Sequence, residues 1–267
     1  MKSRNIILFS VVFSLVASLF CVKSSAQDAS YSWYCAHVKD HRQPSLAQEL
    51  AFVESCGGYY LGHCEIADGE CEKVIYLTFD AGYENGNVAK VLDVLKEENV
   101  PGAFFVLGHL ISNNSDLIMR MKTEGHLVCN HTVRHRDMSR MSDEAFLKEL
   151  KELEDQYQAL TGEEMPKYYR PPEGRFSKNN LETANHSGYK TIFWSFAYPD
   201  WDNQKQMSPQ KAKQIILDNL HSGEVMLLHP TSSVNAEILG DVIREARSQG
   251  YRFGTLEELT GGKNENS

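Results

Sequence analysis

The sequence predicts an α/β fold, a distorted (β/α) barrel of about seven parallel strands. Three observations lead there. From residue 74 onward, short apolar runs alternate with amphipathic periodic segments and little else. Most of those runs end at a titratable or charged side chain, as strands do where ligands gather at their C-terminal ends. Of the 267 residues, about 240 remain once a leader is removed, enough for one large domain with a sizeable core.

The first run, residues 74–79, has almost no polar alternation and stops at Asp80, with Gly82 and Gly86 framing the loop beyond it. It reads as a buried strand. After Asn87, the residues Val88, Val91, Leu92 and Leu95 recur at i, i+3, i+4 and i+7 and predict a helix. Residues 102–107 are a second strand, 114–124 a helix closed by Gly125, and 127–129 a third strand. Ser142 caps the longest helix, 142–160, with the stripe Phe146, Leu150, Leu153, Tyr157 and Leu160. Strands at 168–169, 191–194, 225–228 and 251–253 follow, with helices at 178–186, 209–220 and 236–249 between them.

The ends of the chain have other roles. Lys2 and Arg4 precede the apolar run 6–22, and Ser24-Ser25-Ala26 offers a cleavage site, so residues 1–26 read as a signal peptide. An uncleaved membrane anchor is the alternative, since the run is close to spanning length. Lipidation at Cys21 is disfavoured by the bulky Phe20 before it. The mature protein is expected outside the cell or in the cell envelope. Its formal charge of −9 becomes −12 without the three cations Lys2, Arg4 and Lys23. With no basic block, nucleic acid and anionic membrane are poor partners; a monomer is expected. Residues 261–267 read as a disordered tail.

Residues 27–72 form an aromatic N-terminal arm, with Tyr31, Trp33, Tyr34, Tyr59 and Tyr60, and one possible helix at 46–54. It reads as packing on the main domain, residues 73–260; a separate sugar-binding module is the alternative. Cys64 and Cys71 bracket a polar loop and are expected to close a small ring, Cys35 and Cys56 to form a second bridge, and Cys129 to stay a buried thiol.

The strand ends carry the chemistry. Asp80 follows the first, and Asn130-His131-Thr132-Val133-Arg134-His135 the third. Arg170-Pro171-Pro172-Glu173-Gly174 follows the fourth, Tyr198-Pro199-Asp200-Trp201 the fifth and His229-Pro230 the sixth. Any one of them alone is as readily a turn cap, a solvated histidine pair or a packing corner. In a barrel all five converge on one rim, which favours a hydrolytic site. Two imidazoles at i and i+4 on one helical turn can bind zinc, and a metal so held polarises a carbonyl and acidifies bound water. Asp80 is the candidate base and His229 the acid, its imidazole kept charged by Asp200. Arg170 is a fixed cation that keeps Asp80 ionised. No G-x-S-x-G elbow, P-loop or dinucleotide fingerprint occurs.

Five motifs now stand in order: Thr78-Phe79-Asp80-x-Gly82, His131-Thr132-x-x-His135, Arg170-Pro171-Pro172-x-Gly174, Asp200-Trp201 and Leu227-Leu228-His229. Over residues 73–259 the chain resembles the NodB-type polysaccharide deacetylases, carbohydrate esterase family four. The resemblance implies a NodB homology fold, zinc, and removal of acetyl groups from glycans. It implies Asp80 as base, His131 and His135 as metal ligands, Arg170 as orienter of the base, and His229 as acid tuned by Asp200. It also places the Glu173 backbone N–H at the oxyanion and Trp201 and Tyr83 against substrate.

A narrower signature, Tyr83-Glu84-Asn85-Gly86 with Phe104-Phe105-Val106-x-Gly108-His109, resembles the muramic-δ-lactam-forming peptidoglycan de-N-acetylases of endospore-forming bacteria. It implies N-acetylmuramic acid in peptidoglycan strands as the substrate. One position departs from the family: Ala81 stands where a metal-binding Asp is usual. Zinc bound weakly through His131, His135 and water is therefore expected. A deacetylase of another glycan, chitin-like or xylan, and a non-catalytic glycan-binding descendant are the other readings.

Overall fold

The computed structural model describes residues 29–38, 40–63 and 72–261. The signal peptide, the Cys64–Cys71 ring and residues 262–267 of the expected tail lie outside the described residues. In chain order the elements are β1 (Ser30–Ser32), β2 (Gly58–Tyr59), β3 (Val74–Ala81), α1 (Val88–Glu97), β4 (Ala103–Val106), α2 (Gly108–Asn113), α3 (Ser115–Thr123) and β5 (Leu127–Asn130). Then come α4 (Asp143–Thr161), β6 (Tyr168–Tyr169), β7 (Arg175–Ser177), α5 (Lys178–His186), β8 (Lys190–Ile192), β9 (Phe196–Ala197), α6 (Pro209–Asn219), β10 (Glu224–Leu228), α7 (Ser233–Ser248), β11 (Arg252–Phe253) and α8 (Leu256–Leu259).

One sheet runs in the order β2-β8-β6-β5-β4-β3-β10-β9, with β11 also on β3, and all its pairings are parallel. Its ring closes because β8 and β9 belong to one run: β8 pairs β6, β9 pairs β10, and Ser195 N donates to Val225 O at 3.0 Å. The expected strand at 191–194 is therefore broken. The reason lies in its carbonyls, which leave the ladder for side chains: Ile192 O and Phe193 O accept from Arg170, and Trp194 O accepts from the Trp33 indole.

Alternation along β3 decides what faces where. Ile75, Leu77, Phe79 and Ala81 pack outward with Val88, Val91, Leu92 and Leu95 of α1, the stripe expected from the sequence. Val74 and Tyr76 belong to the inner cluster with Phe105 and Cys129, and Asp80 shares their side of the strand. Ser142 caps α4 by accepting from Ala145 N at 3.3 Å.

The arm differs from expectation in detail. In place of a helix at 46–54, two single 3₁₀ turns occur, Gln48–Leu50 and Glu54–Cys56, because its apolar residues serve a compact cluster with Trp33, Phe176 and Phe193. Strands β1 and β2 exist only through pairing with distant β7 and β8, which no local pattern signals. Cys35 and Cys56, expected as a bridge, are separate thiols. The Cys56 Sγ lies 3.9 Å from Glu182 Oε1, and burial pushes the Cys35 thiol up to about 11 against one backbone hydrogen bond. Cys129 is a buried free thiol as expected. No helix among the described residues is long and apolar enough to cross a membrane.

Candidate active site

Asp80 ends β3 facing inward, and Arg170, at the end of β6, meets it. The guanidinium is fully buried: Nη1 donates to Asp80 Oδ1 at 2.9 Å, Nη2 to Thr78 Oγ1 at 2.8 Å, and Nε to Ile192 O at 3.0 Å. It also lies 4.2 Å from the centre of the Phe105 ring. Thr78, two residues before Asp80 on the same face, passes the connection on by donating to Met226 O at 2.7 Å. Burial pushes the Asp80 carboxyl up, but the positive charges of His131, Arg170 and His229 and the Arg170 hydrogen bond outweigh it, so Asp80 is held below its usual value. Arg170 is the cation of the three that is charged at every relevant pH.

His131 and His135 are brought together, but not by a helical turn. Residues 131–135 are irregular, with Thr132 at φ 72° and His135 at φ 54°. Two side chains close the local turns: Thr132 N donates to Asn130 Oδ1 and His135 N to Thr132 Oγ1, both at 2.9 Å. The positive φ at both residues is incompatible with an α-helical turn. The imidazole rings stand 5.0 Å apart at 69°. His131 Nδ1 lies 2.9 Å from Arg170 O, so it carries the proton there and leaves the Nε2 lone pair directed at Asp80 Oδ2, 3.6 Å away. Burial holds His131 down to about 4, against the pull of Asp80. It is neutral at physiological pH.

Opposite them, His229 Nδ1 donates to Asp200 Oδ1 at 2.7 Å. Asp200 is 1% exposed, and its Oδ2 accepts from His229 N at 2.8 Å and Asn235 Nδ2 at 2.6 Å. Tyr198 OH donates to Asn235 Oδ1 and fixes that amide in turn. Burial lowers the His229 pKa, but the Asp200 hydrogen bond and the charges of Asp200 and Asp80 win, so it is raised above its usual value. A depressed carboxyl and a raised imidazole thus face one cavity, an arrangement that acid–base chemistry can use.

The cavity measures about 710 Å³ and is lined by Asp80, His131, His135 and His229 together with Glu173 and Trp201 and several apolar side chains. Glu173 sits at φ 55° in the 3₁₀ turn Pro172–Gly174, and its carboxylate turns away to Arg175 Nε at 3.1 Å. Trp201, 61% exposed, lies 6.3 Å from the His229 ring, and Tyr83, 45% exposed, lines the same opening. All nine residues expected from the sequence are thus placed: seven line the cavity, and Arg170 and Asp200 stand directly behind Asp80 and His229. Thr78 and Tyr198 stand in stretches named from the sequence but were given no role there, and Asn235 was not named. Thr78 was traceable from its i, i+2 relation to Asp80, whereas Asn235 looks like an ordinary first-turn residue behind the N-cap Ser232.

Zinc can be tested against these residues. His131 Nε2 and the His135 ring offer two nitrogen donors, the first oriented by a backbone carbonyl as metal-binding histidines usually are. A catalytic zinc takes three protein ligands. Among the described residues no group of three or more His, Cys, Asp or Glu side chains able to hold a metal occurs. Ala81 is fully buried in the outward cluster and does not line the cavity. The residues present do not complete a catalytic zinc shell.

Asp80 and His229 thus share one cavity at the C-terminal ends of two paired parallel strands, β3 and β10. Residues 67–192 match the polysaccharide deacetylase family. The peptidoglycan-N-acetylmuramic acid deacetylase PdaA of Bacillus subtilis is 38% identical over 229 residues, 85% of each chain. Its solved structure superposes with a TM-score of 0.82 over 88% of this chain and 98% of that one. A family 4 carbohydrate esterase from Bacillus anthracis gives a TM-score of 0.71 at 36% identity, again over 88% of this chain and 98% of that one. The chain belongs to the polysaccharide deacetylases, the NodB-type carbohydrate esterases of family 4.

Proposed function

We propose that the protein is an exported hydrolase that removes the acetyl group from N-acetylmuramic acid in peptidoglycan glycan strands. The observation that carries this reading is the pairing Asp80–Arg170 and His229–Asp200 around one cavity. It is supported by the similarity, over 85% of each chain, to an N-acetylmuramic acid deacetylase. Asp80, held ionised, takes a proton from water as its oxygen attacks the acetamide carbonyl. The Glu173 N–H stabilises the oxyanion, and His229 Nε2 protonates the departing nitrogen as the C–N bond breaks. Acetate and a free amine result, and the amine is the nucleophile that closure of a muramic δ-lactam needs. Trp201 and Tyr83 give the sugar ring exposed aromatic faces.

Zinc, where it binds, is held weakly by His131 and His135 in our reading. The test is mass-monitored acetate release from whole peptidoglycan, from glycan strands stripped of stem peptides and from chitooligosaccharides. Release from the strands and none from chitooligosaccharides is expected. The reverse preference would assign the site to another glycan, and no release from any of the three would make the chain a non-catalytic binder.

A further inference from the structure

The N-terminal arm reaches the site from outside, and the structure accounts for its aromatic composition there. Strand β1 pairs antiparallel with β7, the strand that directly follows the Pro172–Gly174 turn, in the register Ser30↔Ser177, Tyr31↔Phe176 and Ser32↔Arg175. One residue further, Trp33 N donates to Gly174 O at 2.8 Å. The indole, 4% exposed, donates from Nε1 to Trp194 O at 2.9 Å and stacks on Phe193 at 4.3 Å and 22°. Phe193 in turn accepts from Arg170 Nη2 through its carbonyl at 3.2 Å.

Trp33 therefore bridges the end of the Pro172–Gly174 turn and the barrel wall at Phe193 and Trp194. A Cβ on Gly174 would meet Trp194 at 2.8 Å and the Trp33 Cβ at 3.0 Å, so no slack remains between arm, loop and barrel wall. The Glu173 backbone is left-handed at φ 55°, a conformation that a non-glycine residue keeps only where its surroundings over-determine it. The hydrogen bond and stacking from Trp33 supply that constraint from one side. Beyond Trp33 the arm stays fastened: the His37 ring lies 2.8 Å from Ala197 O, and Gln43 Nε2 donates to Ser222 O at 2.8 Å.

We propose that Trp33 is a positioning residue for hydrolysis, buckling the arm over the loop so that the Glu173 N–H points at the developing oxyanion and Arg170 stays aligned with Asp80. The proposal rests on the deacetylase reading of the cavity. An N–H aimed at a transition state tolerates little displacement, since a shift of about 1 Å costs on the order of 100-fold in rate. Loss of Trp33 should then appear in kcat and leave substrate binding by Trp201 and Tyr83 intact.

The experiment compares Trp33→Ala and Trp33→Phe with Leu50→Ala. Leu50 is buried in the same cluster at 2% exposure and serves as the control for lost packing alone. kcat and KM are read from acetate release on stripped glycan strands, and hydrogen exchange is followed at the amides of residues 173–175. Trp33→Ala should lower kcat by about 10- to 100-fold with KM unchanged, and should speed exchange in that segment. Trp33→Phe, which keeps an aromatic stack and loses the indole N–H, should fall between. Leu50→Ala should keep wild-type kcat and exchange while it is folded. A Trp33→Ala enzyme with the kcat of Leu50→Ala, or unchanged exchange at 173–175, overturns the proposal. Should Trp33→Ala not fold, Trp33→Phe decides on the same two readouts. If the wild-type protein releases no acetate the functional reading fails, and the exchange comparison alone decides whether the arm holds the loop.

Discussion

Arg170 has no contact with water, and its positive charge is balanced by Asp80, whose side chain is 12% exposed. Removing one partner of such a pair leaves the other poorly solvated, and Arg170→Leu should cost about 3–5 kcal/mol of stability, read by chemical denaturation. A loss near zero would mean that the pair contributes no net stability. The two pKa shifts fix the pH dependence of kcat/KM. Asp80 is depressed, so the base is lost only as pH falls below the usual carboxylate range; His229 is raised, so the acid is lost as pH rises beyond the usual imidazole value. Asp200→Asn removes the interactions that raise His229 and should move the alkaline limb to lower pH. An unmoved limb in a pH–rate profile would separate Asp200 from the acid. These residues stood out as candidates in the sequence because each lies at or near a strand's end, where a charged side chain interrupts an apolar run. Asn235 was not, because an Asn in the first turn of a capped helix is ordinary, and only folding brings it to Asp200.

At the scale of elements, apolar runs and the 3.6-residue stripes located the central strands and the long helices closely. Two of the misses lie at the site, and each has its own backbone cause. The run 190–197 splits because three of its carbonyls serve Arg170 and Trp33. The histidine pair leaves the helix because Thr132 and His135 both take positive φ, in turns closed by the Asn130 and Thr132 side chains. The loop ending at Gly174 allows a direct test. With φ at 64° and crowding on the Cβ, Gly174→Ala should destabilise by roughly 1–3 kcal/mol, measured by thermal unfolding. Unfolding at the wild-type temperature would show that the loop relaxes. The two-imidazole donor set makes its own prediction: calorimetric titration should show weak zinc binding that chelator removes at once. Stoichiometric zinc retained through chelation would demand a third ligand.

For the whole molecule, the sequence named the barrel and its active rim, but not how the arm is used. The arm's strands have no periodic signature, since they are held by partners more than a hundred residues away in sequence. Thiol mapping of the denatured, unreduced protein should find Cys35, Cys56 and Cys129 all alkylated; a Cys35–Cys56 bridge would contradict the arm as described. The central claim is that Asp80 and His229 act together as base and acid on an acetylated muramoyl strand. The most direct measurement is acetate release from peptide-stripped glycan strands by the wild-type protein beside Asp80→Asn and His229→Ala, each confirmed to be folded. Release by the wild type and a loss of at least about 100-fold in each variant is the result predicted. Either variant within about tenfold of wild type would contradict it.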